Sequence, residues 1–288
     1  MYTMAELLTV CIARQVQNNQ VWAQGINTPL VMAGLILAKC THAPTLAFTS
    51  AIGQGLSFEW SPLSITFVED MWLAKSISHV GFTSAAADIL PAIQPHEFFR
   101  PAQVDAQGNT NNIAFGKDYH HPRLRLPGTG GIPDVSVMYG GSYLYVPKHA
   151  KIIFRKQIDF ISGLGHHPDR QQGSGPVYLV SDLGQFDWHN GRMRLVTLHP
   201  EVPLEEVVRK TEFELEIAPD LGVTVPPTAD ELRRIREEID PLSIRDLELL
   251  SGSERRLKLR AIIEAESKIN RSFPSSNLAD SENDPLAN

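Results

Sequence analysis

The chain has 288 residues, of which 42% are hydrophobic and 20% charged, a balance that allows a substantial buried core. Its net charge of −7 and lack of a long basic run argue against a nucleic-acid partner. The longest apolar stretch, Leu30 to Ala38, is too short to span a bilayer, and no basic segment followed by an apolar run marks a secretory signal. Only two cysteines, Cys11 and Cys40, are present, so a reducing cytoplasm is the expected home and no disulfide framework is expected.

Residues 4–18 read as a helix, with Leu7, Leu8, Cys11, Ile12 and Val16 at helical spacing. A short strand from Gln20 to Ala23 follows, ended by Gly25. Thr28-Pro29 then opens a second helix through Cys40, since proline is tolerated in a first helical turn. Thr45 to Thr49 fits a buried strand leading into the loop Ser50 to Gly55. This alternation predicts an α/β fold: an open, mostly parallel sheet with helices on both faces and a helical C-terminal portion.

The middle is richer in strands, expected at Ser142 to Val146, Lys151 to Phe154, Val177 to Ser181 and Arg192 to Leu198. Gly163 to Gly175, with His166-His167 inside it, has the composition of a mobile surface loop. After Leu204 the pattern is helical. Thr228 and Glu231 fit a capping box, and Leu232, Ile235 and Ile239 form its apolar stripe. A very charged helix is expected at 253–269, with Leu257, Leu259, Ile262 and Ile263 available for packing, and disorder is expected from Ser275. The expected organisation is one domain over 1–250, a charged helix over 251–274 and an acidic disordered tail over 275–288.

Polar and glycine clusters concentrate between Gln103 and Asp134, the pattern of loops at the rim of a sheet, where ligands bind. Gly128-Thr129-Gly130-Gly131 has neither the lysine of a P-loop nor dinucleotide spacing. Its chemical use would be backbone N–H groups offered to an oxyanion or thioester carbonyl; a plain tight turn is the competing reading. The doublets His120-His121 and His166-His167 are poor metal sites, because adjacent side chains diverge, so no metal is expected. His120 is a candidate acid/base or hydrogen-bond donor. Thr49 and Ser50 end a buried strand beside a glycine loop, but no Gly-x-Ser-x-Gly elbow surrounds them. Such hydroxyls act as nucleophiles only with an adjacent base, and otherwise satisfy local backbone groups.

From about residue 5 to about residue 247 the chain resembles the β subunits of family I CoA-transferases, the glutaconate type in particular. Its most specific segments are Gln103-Val-Asp105-x-x-Gly108-Asn109, Asp118-Tyr-His-His-Pro122, the Gly128-x-Gly-Gly131 loop and Arg236-Glu-Glu-Ile-Asp240-Pro241. The resemblance implies the CoA-transferase fold and an α-type partner subunit, as a heterodimer or α2β2 assembly. It also implies an acyl-CoA substrate, with coenzyme A arriving as part of that substrate and no other cofactor. Family transferases carry a catalytic glutamate at a strand end in this subunit. That carboxylate attacks the acyl-CoA and then holds CoA as a glutamyl thioester. Here Thr49 stands at the matching place, and a threonine cannot form the exchangeable anhydride and thioester intermediates.

Members of the same fold that lack the glutamate include a hydrolase opening a carbocyclic ring in steroid breakdown and a decarboxylase of glutaconyl-type CoA esters. The chain is similar to the hydrolase's β chain at Thr49, Gln54, Ser162 to Gly165, Val180 to Asp187 and Leu198-His-Pro200. The expectation is therefore hydrolytic or lyase-like C–C cleavage. Thr49, Ser50, Gln54 and His120 would serve the chemistry. Gly128, Thr129, Gly130, Gly131, Gln103 and Asn109 would hold the substrate, and the working carboxylate would come from the partner. A true transferase and a non-catalytic scaffold subunit are the alternatives.

Overall fold

The computed structural model describes residues 1–25, 28–50, 55–67, 74–138 and 141–272. In chain order its first half comprises α1 (Met4–Ala13), β1 (Val21–Ala23), α2 (Pro29–Thr41), β2 (Ala47–Ser50), β3 (Gly55–Ser57) and β4 (Ser76–His79). A helical stretch follows: α3 (Phe82–Ser84), a π-helical turn (Ala85–Ile89) and α4 (Leu90–Ile93). Then come β5 (His96–Phe99), the small hairpins β6 (Gln103–Val104) with β7 (Thr110–Asn111) and β8 (Ala114–Phe115) with β9 (Leu124–Arg125), and α5 (Ile132–Met138). The second half holds β10 (Ser142–Val146), β11 (Pro176–Ser181), β12 (Gly184–His189), β13 (Arg192–Leu198), α6 (Leu204–Lys210), β14 (Glu216–Val223), α7 (Ala229–Arg233) and α8 (Gly252–Ser272).

Ten strands form one sheet in the order β14-β13-β12-β11-β10-β5-β1-β2-β3-β4. Its centre, from β11 through β10, β5 and β1 to β2, is parallel. Antiparallel strands flank it on both sides, and β14 returns parallel to β13 at one edge. The two faces alternate along each strand, as a pleat requires. Trp22, Phe48, Phe98 and Tyr145 pack with α1, α2, Ile235 and Ile239 in one core. Phe99, Leu144, Val146 and Leu179 pack on the opposite face with Val104, Phe154 and Val207. Gly34 of α2 is needed where the two helices cross, because any side chain there would strike Ile12 and the Thr9 carbonyl.

Several expectations change on contact with the fold. The first helix ends at Ala13, and Val16 is buried from a turn instead. Lys151 to Phe154 is not a strand: the Ile153 and Phe154 amides both donate to Ala150 O, making a turn that drives Phe154 into the second core. The purely helical C-terminal region is interrupted by β14, whose sequence hides it with Pro219 and Gly222. Proline and glycine are tolerated there because β14 is an edge strand with an irregular register. Gly163 to Gly175 is tied down: Gly165 lies against the 107–109 backbone, His166 Nε2 reaches Pro176 O at 2.8 Å, and Arg170 donates to Gly165 O at 2.7 Å. The charged helix spans Gly252–Ser272. It buries Ile262, while Leu257 and Ile263 are exposed. The expected tail over 275–288 lies outside the described residues.

Buried ions fasten the C-terminal segment to this frame. Arg245 donates to Asp240 at 2.7 Å and to Glu6 of α1 at 3.2 Å, and all three side chains are at most 3% exposed. Asp240 also accepts the Ile244 and Arg245 amides. Glu248 accepts from the Leu30 amide at the start of α2 (2.9 Å) and from Tyr145 Oη (2.8 Å). Glu266 of α8 accepts the Ile65 and Thr66 amides, both at 2.8 Å. Arg245→Met should therefore leave buried Asp240 without its ion-pair partner, while Glu6 keeps Arg236, and should lower stability by about 3–5 kcal/mol in urea unfolding. Arg233→Ala, which removes a surface pair with Asp230 and Glu238, should leave the midpoint unchanged.

Candidate functional site

The parallel register sets one row of residues side by side across the sheet. Thr49 of β2 is opposite Ala23 of β1, Ala23 is opposite Glu97 of β5, and Glu97 is opposite Ser142 of β10. Residues paired in this way share a face, and their neighbours Trp22, Phe48 and Phe98 occupy the other. Two strand spacings put the Thr49 and Glu97 α-carbons about 10 Å apart. The row lies on the face away from α1 and α2, between two small side chains.

Thr49 and Ser50 are buried at the C-terminal end of β2. Thr49 Oγ1 donates to Gly55 O across the β2–β3 pair at 3.2 Å. Among the described residues no carboxylate or imidazole hydrogen-bonds to it, so this hydroxyl has no base to make it a nucleophile. Beside it is a cavity of about 130 Å³, with Ser50, Leu56, Val80, Ile89 and Leu90 in its walls. That is room for a few waters or a short acyl tip, well below the several hundred Å³ of a whole-ligand pocket.

Glu97, on the same face as Thr49, was not among the candidates read from the sequence. It is half-buried, and among the described residues its carboxyl makes no hydrogen bond and no ion pair. The carboxyl reaches toward the turn after β1: a Cβ on Gly25 would sit 3.3 Å from Glu97 Oε1. Burial without a counter-charge pushes its pKa up to about 8. At neutral pH the group is therefore mainly a neutral acid. The signal in the sequence is His96-Glu-Phe-Phe99, a carboxylate inside a short aromatic run that folds as a strand. His96 points the other way, stacked on Trp22 with ring centroids 5.2 Å apart.

The remaining candidates divide by position. Gln54 lies outside the described residues. Gln103 and Asn109, expected to hold substrate, are buried and engaged within the fold. Gln103 Oε1 accepts from Asn111 Nδ2 (2.7 Å) and the Asp159 amide (2.9 Å), and Gln103 Nε2 donates to Asp159. Asn109 donates to Asp105 (2.9 Å) and accepts from the Gly165 amide (2.9 Å). Gly108 adopts φ +79° in this turn, where a side chain would meet Pro176 and Trp188. These positions fit a structural clasp rather than a ligand surface. His120 is exposed at the end of the β8–β9 hairpin, its amide donating to Asp118 at 2.8 Å. Gly128, Gly130 and Gly131 are exposed and Thr129 is half-buried. The loop runs into α5, with Gly128 at φ +115° and Gly130 at φ +53°. The structure thus brings Thr49 and Ser50 together at the cavity, whereas Glu97, His120 and the glycine loop do not line it. Among the described residues no group of three or more histidines, cysteines or carboxylates is placed to hold a metal, and no helix is long and apolar enough to cross a membrane.

The architecture is that of CoA-transferase-fold enzymes. The decarboxylase AibA/AibB superposes with a TM-score of 0.74 and 28% identity, over 85% of this chain and 97% of that one. The cholesterol ring-cleaving hydrolase IpdB subunit of Rhodococcus jostii is 32% identical over 230 residues, 76% of this chain and 85% of the relative. The β-type chain of glutaconate CoA-transferase from Acidaminococcus fermentans is 29% identical over 265 residues, 83% of this chain and 93% of the relative. No family model matches the chain. On these similarities the chain belongs to the family I CoA-transferase β-subunit family, which includes transferase, hydrolase and decarboxylase subunits.

The raised pKa of Glu97 has a consequence for stability. Its folded value, about 8, lies above the ordinary 4.5. The stability that its protonated form confers is complete below the unfolded value and is lost as pH rises through about 8. Glu97→Gln, neutral at every pH, should remove this loss and exceed the wild type on the alkaline side. The gain should be on the order of 2 kcal/mol, allowing for water reaching the half-buried carboxylate. Thermal unfolding between ~pH 5 and ~pH 9 checks it.

Proposed function

We propose that the chain is the β-type half of a heteromeric enzyme that binds an acyl-CoA thioester and cleaves a C–C bond, by hydrolysis or decarboxylation, rather than transferring CoA. The observation that carries this reading is Thr49. The strand-end position at which the resemblance places the transferase glutamate holds a hydroxyl donated to Gly55 O, with no base beside it among the described residues. Covalent capture of an acyl group there has no activated nucleophile. The hydrolase and decarboxylase relatives support the choice of chemistry.

An α-type partner completes the proposal. Among the described residues, several apolar side chains on the β4 side of the sheet are exposed. Ile77 on that edge strand is 66% exposed, and Phe58 and Phe82 are exposed as well. An edge strand carrying apolar side chains is a surface that a soluble protein normally covers. Co-expressed with its partner, the chain should co-purify as a heterodimer or heterotetramer across an interface above roughly 2,000 Å².

The chemical test is direct. The complex, incubated with acetyl-CoA and labelled acetate, should exchange no label. It should also show no hydroxylamine-sensitive CoA adduct on this chain by mass spectrometry. A stoichiometric adduct would establish transferase chemistry instead.

A further inference from the structure

We propose that Glu97 is the proton donor of the reaction, giving its carboxyl proton to the carbon left electron-rich by C–C cleavage. This rests on the cleavage reading above. Both forms of that reaction need such a donor. In hydrolysis, water adds to a carbonyl and the C–C bond breaks. In decarboxylation, the bond to the carboxylate breaks and carbon dioxide leaves. In either case the bonding pair stays on the thioester fragment as an enolate, and one new C–H bond must form. Glu97 supplies that hydrogen as its O–H bond breaks, and the resulting carboxylate takes a proton back from water before the next turnover.

The geometry places the carboxyl for this role. Glu97 shares its row and face with Thr49, the strand end at which the family resemblance puts chemistry. The residue between them is Ala23, whose methyl leaves the face low. Gly25 leaves the space that the carboxyl enters, because a Cβ there would press on Oε1. Among the described residues, Glu97 faces Ala23 and Gly25 from the β1 side and Ser142 from β10, with Thr28 at the start of α2 beside Gly25. None of these is titratable, and among the described residues no charge acts on the carboxyl. His96, next in sequence, faces the opposite core. A nucleophilic role would require the ionised form at neutral pH, whereas burial keeps this carboxyl protonated to about 8. A neutral acid suits donation to carbon.

The experiment uses the assembled complex with two probes, glutaconyl-CoA for decarboxylation and 2-oxocyclohexanecarboxyl-CoA for ring hydrolysis. On the probe that is cleaved, Glu97→Gln should lower kcat by about 10²–10⁴-fold with KM little changed. Glu97→Asp should recover part of the rate. Wild-type kcat should fall as pH rises through about 8, and Glu97→Gln should lose that limb. A structural role would not remove the limb from a folded variant. Cleavage by Glu97→Gln at the wild-type rate, with the alkaline limb intact, would overturn the proposal while leaving the cleavage reading standing. A CoA adduct mapped to Glu97 would overturn it in favour of a nucleophile, and failure of the wild type to cleave either probe would overturn both.

Discussion

The parallel register of the central strands holds a carboxyl, Glu97, on one face of the sheet with no counter-charge among the described residues. Most buried carboxylates in the chain are answered by specific donors: Glu6 and Asp240 by Arg245, Glu248 by Tyr145 and an α2 amide, Glu266 by the amides of the 65–66 turn. Glu97 receives none of this among the described residues, although serine, threonine and arginine are common in the chain. A carboxyl left in this state penalises its ionised form and titrates late. Such an arrangement weakens the fold at alkaline pH and is a recognised mark of a group used for proton transfer.

The sheet sets this carboxyl and the Thr49 strand end on one face, two strands apart. Parallel pairing fixes the register of β2, β1, β5 and β10, so residues separated by some fifty positions in sequence are aligned across the face. The aromatic side of the same strands is anchored by Trp22, Phe48 and Phe98 against α1 and α2. Slipping β5 by one residue would put Glu97 into that aromatic core and His96 onto the site face, which the packing of Phe98 opposes. The buried ion cluster around Arg245 holds the C-terminal segment against α1 and so supports the rigid side of the sheet.

Much of the fold was legible in the sequence. The periodicity of Leu7 to Ile12, the Pro29 helix start, the tyrosine-rich run at Ser142 to Val146 and the Thr228–Glu231 capping box all lie where their local chemistry puts them. The failures have physical causes. Pro219 and Gly222 disguise an edge strand, and Lys151 to Phe154 has strand composition but is bent by the Ala150 carbonyl. The site was less legible, because several distinctive segments have their side chains engaged within the fold. Gln103 to Asn109 clasps a hairpin. Ser181 and Asp182 hold His149, and His199 bridges Ser181 O and Thr224. Burial lowers the pKa of both imidazoles, to about 3 and about 4, so they stay neutral scaffold groups. Those motifs reveal kinship because the fold needs them. Glu97 stands in no such motif, and only strand register shows what it faces.

The protonation state of Glu97 in the assembled complex decides whether this carboxyl can donate a proton at neutral pH. Infrared difference spectroscopy on the complex with carboxyl-¹³C glutamate, compared with Glu97→Gln, isolates this one group. A protonated carboxylic-acid band is expected at neutral pH, converting to carboxylate as pH rises through about 8. A carboxylate already fully ionised near its ordinary value of 4.5 would contradict it.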